Sequence, residues 1–434
     1  MSSAGGGRPA PGAAPPRVSR SVVALLISTF CSSAAALAAT TALGKLVFDL
    51  TSHELDLGFL GLVEFAPAAL LVLVTGSVAD RFDRRWVASF GIVVEAAAAL
   101  ALISYVGAGP TSVGPIFGFV LVFGVGRAFA APAARSLPAD IVPPEHLPWL
   151  IARFSATWQV AIIVGPVLGG TLYAVDERYP FVAMAALLAV GAAVILLVQP
   201  EPGAMPVRTR AVARESEGDG RRPGLHDAFE GLRFIKTNPV LLGAISLDLF
   251  AVLFGGAVAL LPAIAEDRLH VDAVGLGWLR AAGGIGAAIV TLALARRPLH
   301  RRVGRTLLAV VALFGIFTIV LGVTHSFVVA FVAMAVLSGA DAVSVFIRAT
   351  LVPLVTPPDK RGRVLAVENV FIGASNELGA FESGVAGQVM GPAGAVVLGG
   401  VATLAISVGW WSLFPALRDV DRFPEREPEG VISA

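Results

Sequence analysis

Several ionisable side chains stand inside long apolar stretches of this sequence, among them Glu64, Glu95, Arg127, Asp248, Arg280, Asp341, Arg348, Glu377 and Glu382. A charge in hydrocarbon costs about 3 kcal/mol on insertion scales, so such groups face a protein interior or a wet cavity. Asp248 has Phe250 and Phe254 close by, the setting an organic substrate wants. Its carboxyl can carry a proton, touch substrate, or lock into a salt bridge with Arg127 or Arg280. Asp341 and Arg348 are seven residues apart. On a helix they share a face but stand about 10 Å apart along the axis, so they should not pair directly. Arg348, near the end of its stretch, is read as snorkelling to the surface; Asp341 is read as buried deeper, with a bridge to Arg127 as the less favoured of its arrangements. Glu377 and Glu382 are five apart, roughly 140° round a helix, so only one can face a common centre. The candidates for proton coupling or substrate contact are therefore Asp248, Glu377, Glu382, Asp341 and Arg127. Glu64 and Glu95 are weaker candidates. Asn369, Asn376 and Gln159 are read as interhelical hydrogen-bond partners.

The elements that hold these groups follow from composition. Of the 434 residues, 56% are hydrophobic and only 15% charged, with a mean hydropathy of +0.80. Soluble chains carry about 25% charged residues, so a soluble protein is excluded. A disordered chain, poor in aliphatics, is excluded too. About 20 apolar residues cross a bilayer core as a helix. Twelve such stretches occur, near 21–43, 58–79, 86–107, 113–134, 152–174, 180–199, 239–262, 273–295, 306–324, 327–349, 364–388 and 394–416. The runs are continuous rather than alternating, which argues against barrel strands. The expectation is an all-α integral membrane protein of twelve transmembrane helices in two pseudo-symmetric six-helix bundles. Its parts would be a disordered tail (1–20), an N-terminal bundle (21–199), a linker (200–238), a C-terminal bundle (239–416) and a second tail (417–434). Within the linker, 225–236 reads as an amphipathic helix on the membrane surface. The first apolar run resembles a secretory signal but is long enough to span, and is read as an uncleaved helix. With both termini in the cytoplasm, inward segments hold 25 of the 32 Lys and Arg residues and outward loops hold three, Lys45, Arg178 and Arg268. This distribution favours that orientation in a plasma membrane. Cys31 is the single cysteine, which rules out an internal disulfide.

An internal repeat ties the halves together. Pro143-Pro144-Glu145 and Pro357-Pro358-Asp359 are offset by 214 residues, and the same offset lays Gly165, Gly169 and Gly170 over Gly379, Ser383 and Gly384, and Arg127 over Asp341. Parallel repeats of this kind occur in secondary transporters. The loop between the second and third stretches reads Gly76-Ser-Val-Ala-Asp80-Arg81-Phe-Asp83-Arg84-Arg85. With six spans on each side of a basic linker, this loop resembles the signature of the major facilitator superfamily, although Asp83 stands where that signature has a second glycine. The resemblance implies that Gly76, Asp80, Arg81, Arg84 and Arg85 form a cytoplasmic gate, with Asp80 meeting the start of the eleventh span. The matching loop of the second half has Arg301 where the acid would be, so the gate contact should differ there. In span 5, Gly165, Pro166, Gly169 and Gly170 allow close helix packing. They resemble a motif of proton-linked exporters in the same superfamily. Further stretches, among them Gly126-Arg127, Leu247-Asp248 and Ser375-Asn376-Glu377, resemble the subfamily that contains the bacterial enterobactin exporter.

No phosphate-binding loop, zinc-protease helix or Gly-x-Ser-x-Gly elbow is present, and the six histidines are not clustered. An ATP-driven engine, a metal site, a cofactor and enzymatic activity are therefore not expected. The resemblance implies export of a small amphiphilic organic compound, siderophore- or drug-like, by alternating access in exchange for protons. The partners expected are that small molecule, protons and the lipid bilayer, with no nucleic acid, and the working unit is read as a monomer. A uniporter or importer of a metabolite, or a lipid flippase, is the alternative on the same fold.

Overall fold

The computed structural model describes residues 18–202, 204 and 225–424. Among these residues there is no strand. The N-terminal half holds α1 (Arg20–Thr51), α2 (Glu54–Arg81), α3 (Arg84–Gly107), α4 (Gly114–Ser136), α5 (Leu147–Val175) and α6 (Tyr179–Ile195). A connecting helix, α7 (Leu225–Thr237), precedes α8 (Pro239–Phe254), α9 (Ala273–Arg296), α10 (Val303–Val323), α11 (Phe327–Val355), α12 (Pro358–Met390) and α13 (Pro392–Leu413). Leaving α7 aside, each helix falls on one of the twelve apolar stretches. Nine described helices are long and apolar enough to cross a membrane by length and composition. The other three are α2, the 17-residue α6 and the acid-bearing α12.

The helix ends are set by local chemistry. Ser19 caps α1 through Val22 N–H, Asn238 caps α8, and Asp272 caps α9, each side chain meeting an amide with no partner inside the helix. Apolar side chains such as Leu70 and Val175 remain 81% and 73% exposed, as lipid-facing positions require.

The seventh stretch departs from the expectation of one continuous span. Helix α8 stops at Gly255–Gly256, and the chain goes on as a 3-10 turn (Ala257–Leu260), a short α-turn and a π-turn (Ile264–Arg268). Close contact explains the glycines at the break. A Cβ on Gly256 would lie 2.5 Å from the Gly379 carbonyl of α12, and one on Gly379 would lie 2.7 Å from the Val252 carbonyl.

Two helix pairs form the seam between the halves, α2 against α12 and α5 against α9. Both meet backbone to backbone. A Cβ on Gly384 would lie 2.9 Å from the Glu54 carbonyl, and one on Gly170 would lie 2.2 Å from the Ala273 carbonyl. Polar contacts join the halves as well. Lys45 Nζ reaches Glu266 at 2.6 Å and also pairs with Asp49, and Gln159 Nε2 donates to the Gly284 carbonyl at 2.8 Å. The Lys45, Gly170 and Gly384 contacts gather at one end of the molecule, while Gln159 meets Gly284 midway along both helices. Toward the other end, added Cβ atoms at Gly76 of α2 and Gly362 of α12 would meet open space.

Helix α7 was expected to lie on the membrane surface. Its apolar residues Ile235, Leu232 and Phe234 pack with Val352, Val364 and Val367. Glu230 binds Arg363 of α12 at 2.6 Å, while Phe229 stays exposed. The tail past the last span is also engaged. Asp421 accepts from the Arg302 amide, and Gly304 N–H donates to the Val420 carbonyl. The first 17 residues, most of the linker (203 and 205–224) and residues 425–434 lie outside the described residues.

Candidate functional site

A cavity of about 430 Å³ opens between the halves, beneath the tightly joined end. Helices α1 and α2 supply one wall, and α8, α9, α10, α11 and α12 supply the other. Its apolar lining includes Leu57, Leu60, Val252, Val258, Phe314 and Leu337. Four charged side chains enter it: Glu64, Arg280, Asp341 and Glu377. Glu377 lies against α2, since a Cβ on Gly61 would stand 3.0 Å from its Oε2. Arg280 faces α1, with Nη2 3.5 Å from a Cβ built on Gly44, and its Nε is buried without a hydrogen-bond partner. The C-terminal turn of α8 ends at this cavity through Val252, Gly255 and Gly256. Glu382 does not line it, as the angular spacing from Glu377 requires.

A second cavity, of about 310 Å³, lies wholly within the N-terminal half, between α1, α3, α4 and α5. Glu95, Arg127 and Arg135 enter it beside Ser28, Ser155, Phe154 and Trp158. Arg127 and Asp341 therefore line different cavities, and the expected bridge between them is not made. The reason is the packing of α3 on α4. Gly91 and Gly126 bring these backbones together, with a Cβ on Gly126 placed 2.9 Å from Glu95 Cγ, so the neighbour that Arg127 acquires is Glu95. Glu95 is 3% exposed, an interior position.

Asp248 pairs with neither Arg127 nor Arg280. Arg348 Nη2 meets Asp248 Oδ1 at 2.6 Å, and both residues are buried. Arg348 does not snorkel, because a carboxylate on the adjacent helix neutralises it and Ser344 Oγ accepts from its Nε at 3.4 Å. Glu368 is buried nearby. The 214-residue offset lays Ala134 and Phe154, which line the second cavity, over Arg348 and Glu368. The space that stands open in one half holds an ion pair in the other. Of the three expected amide bridges, only Gln159 crosses between helices. Asn369 and Asn376 donate to the Leu365 and Ile372 carbonyls of their own helix.

The loop expected to gate carries a compact set of ion pairs. Asp83, in place of the expected glycine, caps α3 through the Arg85 amide and binds the Arg85 guanidinium at 2.6 Å. Arg85 also donates to the Val198 carbonyl, and Arg84 meets Asp140 at 2.9 Å. Arg81 is exposed. The side chain of Asp80 lies outside the described residues. In the packing motif, Gly165 and Gly169 fit α1 at Ala34, Leu37 and Ala38, while Gly170 and the Pro166 carbonyl face α9.

A twelve-helix membrane protein with a charged cavity between pseudo-equivalent halves is built as a transporter, and sequence comparison agrees. The sequence model of the Major Facilitator Superfamily matches residues 25–380, and the chain belongs to that superfamily. It is 28% identical over 191 residues to Multidrug resistance protein 1 of Bacillus subtilis (strain 168), covering 44% of this chain and 46% of that protein. It is 26% identical over 321 residues to the Enterobactin exporter EntS of Escherichia coli (strain SMS-3-5 / SECEC), covering 73% of this chain and 71% of that protein. The matched region spans about half the length of some curated relatives. Among solved structures, a bacterial homolog of the human lysosomal transporter Spinster, inward-facing and unoccupied, superposes with a TM-score of 0.66 at 16% identity, covering 94% of this chain and 97% of that one. The protein is thus a multi-pass membrane transporter of this superfamily and not an enzyme.

Proposed function

We propose that this protein exports a small amphiphilic organic compound across the plasma membrane in exchange for protons. The observation that carries the reading is the central cavity, where carboxyls from both halves face one space with apolar walls. A carboxyl there can trade a proton for a substrate contact as the halves rock. The names of two relatives, an enterobactin exporter and a multidrug resistance protein, support the outward direction. The distribution of Lys and Arg supports cytoplasmic termini. In that orientation the tight end faces outward and the cavity is reached from the cytoplasm. Asp248, Glu377 and Glu382 are the acids assigned to proton exchange. Arg127 is assigned to a buried acid or an anionic cargo, and Asp341 to the cavity wall. The Gly76–Arg85 loop would bias the gate.

The test is proton flux into proteoliposomes holding the purified protein and an internal pH dye, with lipophilic compounds added outside. Proton movement triggered by a compound, and lost in Asp248→Asn and Glu377→Gln, is expected. Gradient-independent equilibration of a labelled compound would replace this reading with a uniporter. Normal pH-driven transport by both variants would remove the acids from the mechanism.

A further inference from the structure

The last described residues of the chain fold back over the start of α10. The Arg302, Val303 and Gly304 amides donate to Asp421 Oδ1, the Asp421 carbonyl and the Val420 carbonyl, at 3.2, 3.3 and 2.9 Å. These are donors that a helix leaves unpaired at its first turn, and Arg302, at the N-cap position, offers no side-chain cap of its own. The fit is close. A Cβ on Gly304 would lie 1.8 Å from the Leu417 carbonyl, Leu417 is fully buried, and the Phe423 ring meets Phe346 of α11 edge-on at 6.2 Å. The charged contacts of the same segment are looser. Asp421 stands 3.6 Å from Arg301 and 3.8 Å from its neighbour Arg422, and Asp419, which also binds Arg418, stands 3.9 Å from Arg305. Arg301 is 72% exposed at its side chain. Exposed pairs of this kind bias an equilibrium by a few-fold at most. The tail is anchored through backbone and rings and exchangeable in its charges.

A second carboxylate is placed to compete for Arg301. The halves meet along α5 and α9 in antiparallel register. Gly170 faces Ala273 and Gly277, the Pro166 carbonyl faces Gly277, and Gln159 donates to the Gly284 carbonyl. Each step back along α5 answers a step forward along α9. Carried toward the open end, this register lays the 3-10 turn that leads into α5 (Pro144–His146) opposite the link between α9 and α10 (297–302). The two ends carry opposite charge, Glu145 in the turn and Arg297, Arg301 and Arg302 in the link. Glu145 is exposed, and among the described residues it makes no ion pair or hydrogen bond.

We infer that the C-terminal tail is a brake on closure at this end: Asp421 holds Arg301 while the halves stand apart, and Glu145 takes Arg301 when α5 and α9 close. A carboxylate of the same half and one of the opposite half compete for a single guanidinium. Lys45 and Glu266 join the halves at the other end, so the two contacts belong to opposite states. An interaction shifts populations only where it differs between states, and Arg301 has a different partner in each. The brake depends on no particular cargo or coupling ion, so it stands apart from the exporter reading.

The experiment is cross-linking of the two ends in the detergent-purified full chain, with His146→Cys and His300→Cys joined by a short bismaleimide. These positions flank the pair and leave Glu145 and Arg301 in place, and the native Cys31 is buried. Cross-linking should rise about two- to fivefold with Asp421→Asn, which keeps the backbone acceptors of the tail, and also with Lys45→Ala, which loosens the other end. It should fall with Glu145→Gln, and Asp421→Asn should then add nothing, because the competing partner is gone. Charge reversal, Glu145→Arg with Arg301→Glu, should restore it. Asp421, Glu145 and Arg301 are all exposed, so the fold does not rest on them. Unchanged cross-linking in Asp421→Asn, an equal rise with Glu145→Gln present, or no cross-linking in any background would each overturn the inference.

Discussion

Asp248 and Arg348 make a buried ion pair, both 6% exposed or less, and the pair matters most for what happens when one member is lost. Removing the carboxylate leaves a guanidinium hydrogen-bonded to Ser344, with the carboxyls of Asp341 and Glu368 acting on it without direct contact. An uncompensated buried charge of this kind costs about 3 kcal/mol or more, whereas replacing both partners by apolar residues is close to neutral. Asp248→Asn should therefore lower the unfolding temperature in detergent, and Asp248→Asn with Arg348→Met should recover most of it. No recovery in the double variant would mean that the pair itself, rather than the orphaned charge, sets the stability. The charges were legible in the sequence as charges, because an ionisable group within an apolar run stands out at once. Their partners were not. Asp248 and Arg348 are 100 residues apart and Glu64 and Glu377 are 313 apart, and no local pattern encodes which helix faces which. Arg348 looked like a snorkelling residue because its own helix offered no carboxylate within reach.

The helices themselves were read from run length, since about 20 apolar residues have one stable form in a bilayer. Two features escaped that reading. The Gly255–Gly256 pair lies in an unbroken apolar run, so hydropathy passes over it, and it takes the closeness of Gly379 to show why Gly256 carries no side chain. The apolar face of α7 has the pattern of a membrane-surface helix, and only its contacts with Val364 and Val367 show that protein covers part of it. Glycines of similar appearance also differ in consequence. Gly170→Ala would place a methyl carbon 2.2 Å from the Ala273 carbonyl, while Gly76→Ala would meet nothing within 4 Å. The first should destabilise the protein by about 1–3 kcal/mol, as overpacking does, and the second should leave thermal unfolding unchanged. Equal melting of the two variants would contradict the close fit of α5 on α9. Gly76 belongs to the family signature, so a transport defect in Gly76→Ala without loss of stability would assign it to movement.

Across the whole molecule, the halves are held more firmly at one end, where Lys45 joins Asp49 and Glu266. Glu266 is 46% exposed at its side chain, so water weakens the link to about 1 kcal/mol at most. Lys45→Ala should then shift the balance of conformations a few-fold toward separation at that end. A cysteine at Leu60, 7% exposed and lining the cavity, would report it, because the native Cys31 is itself buried. Faster labelling of Leu60→Cys by an impermeant maleimide in the Lys45→Ala background is the expected result. An unchanged rate would place the seal in the glycine contacts alone.

Those contacts give the seam a mechanical character. Along α2–α12 and α5–α9 part of the meeting surface is bare backbone, at Gly58, Gly384, Gly170 and Gly277, with side-chain contacts such as the Phe59–Phe381 ring pair between. Interdigitated side chains behave like a zipper, and parting them means lifting each tooth from its slot. Smooth backbone faces behave like a bearing, on which one body can tilt against the other without repacking either interior. A wedge anywhere on such a bearing is felt along its whole length. A single bulky residue introduced at the seam should therefore slow turnover even where it stands far from any bound molecule.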